Sequence, residues 1–234
     1  MRRELGTPWT LLYALLLAAG ISSAVAASGE LGFSRSVSPR LIAHYGRLFG
    51  PGARGRLLRW KEFVRETAGR YATENKGVGD AELLRPVNGY FNRVPGVSDQ
   101  AHWGVEDYWA TPAETLSSNG ADCEDYAIAK YFTLKELGVP IARLRLVYAR
   151  TWHSRVAHMV LAYYPEPQAD PLILDNLHGS IEPASDRPDL IPVYSFNDED
   201  LLFSQPGAPT VRLSATSNRM WKDVIDKLER ELTY

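Results

Sequence analysis

Cys123 stands in Asn119-Gly120-Ala121-Asp122-Cys123-Glu124-Asp125-Tyr126 and is the chain's only cysteine, so a disulfide within the chain cannot use it. Downstream come His158, in Ala157-His158-Met159-Val160-Leu161, and Asp175, in Leu172-Ile173-Leu174-Asp175-Asn176. A thiol nucleophile requires a base to take its proton and a carboxylate to orient that base. The order Cys, His, Asp on three separate elements meets that requirement. Taken singly, each residue has a plainer use: a small buried hydrophobe for Cys123, a core histidine for His158, a strand-end turn former for Asp175. Together they point to catalysis. His153 is a rival base, but its polar surroundings, Arg150 to Arg155, read as an exposed turn. His102 and His178 read as loop residues, and His44 falls in the first predicted helix.

Asp122, Glu124 and Asp125 crowd one helical turn around the thiol. Capping by Asp122, with the other two acids complementing the helix dipole, accounts for them in the simplest way. Yet three acids oppose ionisation of a neighbouring thiol. A hard cation would remove that conflict, and an all-carboxylate set suits Ca²⁺. The spacing is not that of an EF-hand loop.

The positioning elements follow from local pattern. Pro39–Phe49, Leu57–Tyr71 and Asp80–Asn92 read as helices. Pro112 with Glu114 marks another helix start. Asp122–Leu137 is the clearest helix, with acids in its first turn and Gly138 and Pro140 as stop signals. Leu144–Tyr148, Val156–Tyr164 and Leu172–Asp175 read as strands, with Pro165–Pro171 as a hairpin loop. Asn218–Leu232 reads as a final amphipathic helix. Helices first and consecutive strands afterwards predict an α+β fold with an antiparallel sheet. Cys123 then lies in a first helical turn. Unpaired N–H groups there favour a thiolate, lowering the cysteine pKa from about 8.5, and can also hold an oxyanion.

The N-terminus carries the secretory pattern: Met1-Arg2-Arg3, an apolar stretch from Leu11 to Ala19, then Ala24-Val25-Ala26. Cleavage is expected near Ala26. The apolar stretch is shorter than the roughly 20 residues of a spanning helix, which disfavours an uncleaved anchor. The chain is 234 residues long with net charge −2. Losing Arg2, Arg3 and Glu4 removes two positive charges and one negative, giving −3. That balance argues against nucleic-acid binding. Residues 27–234 are expected to form one domain. A reduced cysteine in an exported protein is a reactive liability, which favours a use for the thiol.

Several segments in order resemble the bacterial transglutaminase-like cysteine proteinases, and most closely their periplasmic adhesin-cleaving type. They are Asp107-Tyr108-Trp109-Ala110-Thr111-Pro112, Ala121-Asp122-Cys123-Glu124-Asp125-Tyr126, Ala157-His158-Met159-Val160-Leu161, Leu174-Asp175-Asn176-Leu177 and Pro192-Val193-Tyr194-Ser195-Phe196-Asn197. The resemblance implies a papain-like/transglutaminase-like fold, with N-terminal helices and the nucleophile helix packed on an antiparallel sheet. It implies a triad of Cys123, His158 and Asp175, and Ca²⁺ held by Asp122, Glu124 and Asp125. The implied substrate is a large surface adhesin, cut near its N-terminus at a dialanine-type site, with consequences for attachment and biofilm dispersal. The implied inhibitor is the periplasmic domain of a membrane receptor that senses cyclic di-GMP. No pro-segment is evident between Ala26 and Pro39, so restraint is expected from outside the chain. Trp103, Trp109 and Trp152 are candidate contacts, with Trp152 favoured for its polar turn. Two other classes use part of the same pattern: a transglutaminase-like acyltransferase and a non-catalytic calcium-dependent binding module.

Overall fold

The computed structural model describes residues 37–74, 79–152, 156–203 and 210–234. The expected leader, residues 1–26, and the rival base His153 lie outside the described residues. None of the described helices is long and apolar enough to cross a membrane.

Helix α1 (Pro39–Phe49) starts where the Ser38 hydroxyl accepts the Leu41 N–H at 3.0 Å, with Pro39 in the first turn. Gly50, at φ 79°, takes a left-handed conformation open to glycine and ends α1. Helix α2 (Pro51–Glu74) then begins on a proline and runs a turn and a half earlier than the periodicity predicted. Proline is tolerated there because a first-turn N–H has no intrahelical partner anyway. The expected helix over 80–92 divides into a 3₁₀ turn, Asp80–Leu83, and α3 (Leu84–Phe91). Pro86 has no N–H to give to a helix begun at Asp80. The short α4 (Asp99–His102) was not anticipated, and it ends in His102, which the sequence read as a loop residue.

Helix α5 (Pro112–Ser118) opens with a reciprocal cap. Glu114 N–H donates to Thr111 Oγ1 at 3.1 Å, and Thr111 N–H to Glu114 Oε2 at 2.9 Å. The Arg56 guanidinium reaches from α2 to the carbonyls of Leu116 and Ser117 at the far end. Asn119, left-handed at φ 63°, turns the chain towards α6 (Cys123–Glu136). Helix α6 is buried on nearly every face, as expected of a helix enclosed by others and a sheet.

The sheet has order β4-β3-β2-β1-β5-β6-β7, and every strand pair is antiparallel. Its strands are β1 (Leu144–Thr151), β2 (Ala157–Tyr163), β3 (Leu172–Leu174), β4 (Glu182–Pro183), β5 (Leu190–Phe196), β6 (Asp200–Phe203) and β7 (Val211–Ser214). The β2 and β3 strands are neighbours, with Leu161 opposite Leu174. Helix α6 packs on β2 and β1. Leu144, Leu146, Met159, Leu161, Leu174 and Phe196 join its core. Val147, Ala149, Val160, Ala162, Ile173 and Leu190 form a second cluster. This alternation is what a sheet buried on both faces produces. Helix α7 (Arg219–Glu231), capped by Asn218, closes the chain. Its Trp221 stacks on Phe132 of α6 at 5.4 Å. Truncating such a buried indole to alanine costs about 3–5 kcal/mol.

Candidate active site

The loop before Cys123 is pinned at three points. Ala121 N–H donates to Pro95 O at 3.1 Å, and Val97 N–H to Ala121 O at 2.9 Å. Gly120 lies so close to the His102 ring that a Cβ there would stand 2.6 Å from Cε1. Cys123 then emerges as the first residue of α6. It lines a cleft of about 600 Å³ with Asp122, Glu124, His158, Met159, Trp109 and Tyr148 among its walls. The expected nucleophile and base therefore share one cleft.

His158 Nε2 is 2.8 Å from Asp175 Oδ1. Asp175 immediately follows β3, whose register sets Leu174 opposite Leu161 of β2. Its Oδ1 also accepts Leu177 N–H at 3.0 Å, and its Oδ2 accepts from Arg187 Nη2 at 2.7 Å. Burial opposes ionisation of Asp175, but His158 and Arg187 outweigh it and hold the carboxyl well below the usual range. Lys130, fully buried on α6, also lies within electrostatic reach of Asp175. Burial lowers the Lys130 pKa to about 7.

The thiol departs from expectation. Cys123 Sγ donates to Glu124 Oε2 at 3.0 Å. Burial, followed by Glu124, pushes the thiol pKa up, and a backbone hydrogen bond from Met159 only partly offsets this. The lowering expected of a first-turn position is thus overturned in this arrangement. The helix terminus contributes partial charge, whereas Glu124 brings a full negative charge into contact.

Five carboxylates converge beside the thiol. Ligand atoms of Asp99, Asp107 and Glu124 lie within 4.8 Å of one another, as do those of Asp99, Asp122 and Asp125. Burial is the first cause of every shift here, and mutual repulsion adds to it. Asp122 rises to about 9, and Asp99, Glu124 and Asp125 rise as well. Asp99 Oδ1 and Asp122 Oδ1 are buried without a hydrogen-bond partner. Asp125 also accepts two backbone hydrogen bonds: Ala110 N–H donates to its Oδ1 at 2.7 Å and Asp122 N–H to its Oδ2 at 3.4 Å. Orphaned oxygens among mutually repelling acids fit a hard divalent cation.

Sequence reasoning missed Asp99, Asp107 and Arg187. Asp107 sits in a segment already singled out, but Asp99 lies 23 positions before Asp122 with no spacing cue. The contribution of α7 was missed as well. Lys227 Nζ donates to Trp109 O and the Thr111 hydroxyl to Glu231 Oε1, each at 2.5 Å, so α7 holds the 107–111 segment in place. Trp109 is buried, which removes it as a surface contact, whereas Trp152 is 63% exposed.

Residues 64–189 match the family model of the bacterial transglutaminase-like cysteine proteinases. The chain is similar to solved structures of LapG from Legionella pneumophila. The EGTA-treated form is 34% identical with a TM-score of 0.68, the alignment covering 81% of this chain and 96% of that one. A second LapG structure is 34% identical with a TM-score of 0.66 over the same shares. The calcium-bound form is 36% identical with a TM-score of 0.64, covering 81% of this chain and 98% of that one. No curated protein sequence matches. With the fold, the cleft and these matches together, the chain belongs to the bacterial transglutaminase-like cysteine proteinase family.

Proposed function

We propose that this protein is a calcium-dependent cysteine endopeptidase working through Cys123, His158 and Asp175. The observation that carries the reading is the cleft that the only thiol shares with a histidine already engaged by a buried aspartate, held well below the usual carboxylate range. With His158 Nε2 turned to Asp175, Nδ1 is the nitrogen left to take the thiol proton. The Cys123 sulfur attacks the scissile carbonyl, and the first-turn N–H groups of α6 stabilise the oxyanion. His158 returns the proton to the leaving amine. It then removes a proton from water, which hydrolyses the thioester and regenerates the thiol.

Asp122 and Glu124, with Asp99, Asp107 and Asp125 around them, would hold Ca²⁺. The bound ion supplies positive charge that offsets these acids beside a developing thiolate. The similarity to calcium-bound LapG supports this assignment.

The substrate in this reading is a large surface adhesin cut near its N-terminus at a dialanine-type site, in the periplasm, releasing attached cells. Restraint comes from the periplasmic domain of a cyclic di-GMP-sensing receptor, for which exposed Trp152 offers an aromatic contact. The test is to incubate purified protein with a dialanine-containing adhesin fragment, with and without chelator, and map the new N-terminus. Incorporation of an amine in place of cleavage would make it an acyltransferase. A biological effect left intact by thiol alkylation would instead favour a non-catalytic calcium-dependent binding module.

A further inference from the structure

We propose that Arg187 is a positioning residue of this reaction: it holds one oxygen of Asp175 so that the other stays on His158. The inference rests on the Cys123–His158–Asp175 reading. Arg187 is 2% exposed, and its Nη2 donates to Asp175 Oδ2 at 2.7 Å. The guanidinium is itself held from behind. Nε donates to Asp189 Oδ1 at 2.9 Å and Nη2 to Asp189 Oδ2 at 2.8 Å. Asp189 in turn belongs to the frame of the sheet, because its carbonyl accepts Trp152 N–H at 2.7 Å at the end of β1.

Both oxygens of Asp175 are therefore fixed, Oδ1 by His158 and Leu177 N–H and Oδ2 by Arg187. A carboxylate bound through one oxygen pivots about its Cβ–Cγ bond, and the imidazole it orients pivots with it. The planar guanidinium, gripped through Nε and Nη2 by Asp189, presents Nη2 to Asp175 Oδ2 as a fixed donor and so removes that freedom. Plain stability is a poor reason to bury such a group. Desolvating an ion pair costs about as much as its attraction returns, and apolar replacements often do as well. Orientation is a better reason, since small misplacements of a reacting group cost large factors in rate.

The test compares Arg187→Gln, Arg187→Lys, Asp189→Asn and Cys123→Ala on a dialanine-containing reporter polypeptide that the wild type cleaves. Arg187→Gln is expected to lower kcat by about 10- to 100-fold, the range for residues that orient a functional group from behind, with KM little changed. The far-downfield proton resonance of the carboxylate-bound imidazole should weaken or vanish. Arg187→Lys, which keeps charge but not the fork, should recover part of both. A folded Arg187→Gln protein with wild-type kcat and resonance overturns the proposal, as does a loss confined to KM. Where Arg187→Gln does not fold, Asp189→Asn decides, because it removes only the outer anchor. Reduced kcat at constant KM supports the role, and unchanged kcat overturns it. Residual cleavage by Cys123→Ala would instead sink the triad itself, so the two failures are distinguishable.

Discussion

Asp175 and Asp122 carry the same carboxyl group, both lie next to the reactive cleft, and burial pushes the pKa of both upward, yet they end at opposite extremes. Asp175 is held well below the usual carboxylate range, because His158, Arg187 and Leu177 N–H surround it. Asp122 rises to about 9, because its neighbours are Glu124, Asp125 and Asp99. The first group is completed by the chain's own cations and donors. The second collects anions with two orphaned oxygens, and the influence of His102 and Lys227 on Asp99 does not overcome its burial. The difference teaches that one half of the site is self-sufficient, while the other is shaped for a charge brought from outside. In the proposed reading the cation would sit next to the nucleophile, and the base and its orienting acid would not depend on it.

The largest expected effect tests whether both halves serve one thiol. Cys123→Ala and His158→Ala should each abolish cleavage, by about 10⁴-fold or more, while circular dichroism shows the fold retained. Residual cleavage by either would detach the acid cluster from catalysis.

Asp175→Asn comes next. It keeps the shape and removes the charge, so kcat should fall by up to about 10⁴-fold, as when a triad aspartate loses its carboxylate. Calcium affinity by calorimetry should not change. A large loss of calcium affinity in this variant would merge the two regions that the structure keeps apart.

A smaller effect concerns the ion. Chelation should stop cleavage and Ca²⁺ should restore it, with Mg²⁺ a poor substitute because it demands a tight octahedron and dehydrates reluctantly. At a hundredfold excess over Kd the bound ion stabilises by about 2.7 kcal/mol. For a domain of this size that is a rise in Tm of about 5–10 °C. Asp122→Asn and Glu124→Gln should lose both the activation and the Tm rise. A calorimetric titration of the wild type with no heat of Ca²⁺ binding would return the acids to helix capping.

The smallest effect is the pH dependence of stability, and its sign differs between the two regions. Folding raises the Asp122 pKa to about 9 from an unfolded value of about 3.9. The folded state therefore holds a proton that the unfolded state has released, and stability falls as pH rises from about 4 towards 9. Folding lowers the Asp175 pKa, so its contribution is present above about pH 4 and is lost as pH falls below that. Urea midpoints across pH should show both slopes. Asp122→Asn should flatten only the alkaline one, and saturating Ca²⁺ should do the same. An acid-side change caused by Asp122→Asn would show that the assignment of slopes is wrong.

Much of the scaffold was legible because its signals are local. The pattern from Pro39, Pro112 with Glu114, and the amphipathic run from Asn218 act over a few residues, and α1, α5 and α7 begin within a residue of where they predict. The strand carrying His158 and the one leading into Asp175 were legible for the same reason, through their apolar runs and the Pro165–Pro171 break. Strands β5, β6 and β7 were not. Their segments mix polar, proline and half-buried residues, and become strands only by pairing with β1 and with one another.

By itself the sequence determined the chemistry on offer: one thiol, a histidine and an aspartate in order, and acids packed around the thiol at a helix start. Residue type and short-range spacing suffice for that, because capping and helical neighbourhood are set within a turn. Only the tertiary structure decided what each group meets. It brought Asp99 and Asp107 to Asp122 and Glu124, set Glu124 against the thiol, and placed Arg187 behind Asp175. It also returned α7 to hold Trp109 and Thr111. These partners are up to 120 positions apart. Whether such groups meet depends on strand order, register and helix packing, which no local pattern encodes, and the meeting is what sets the sign of each carboxylate's shift.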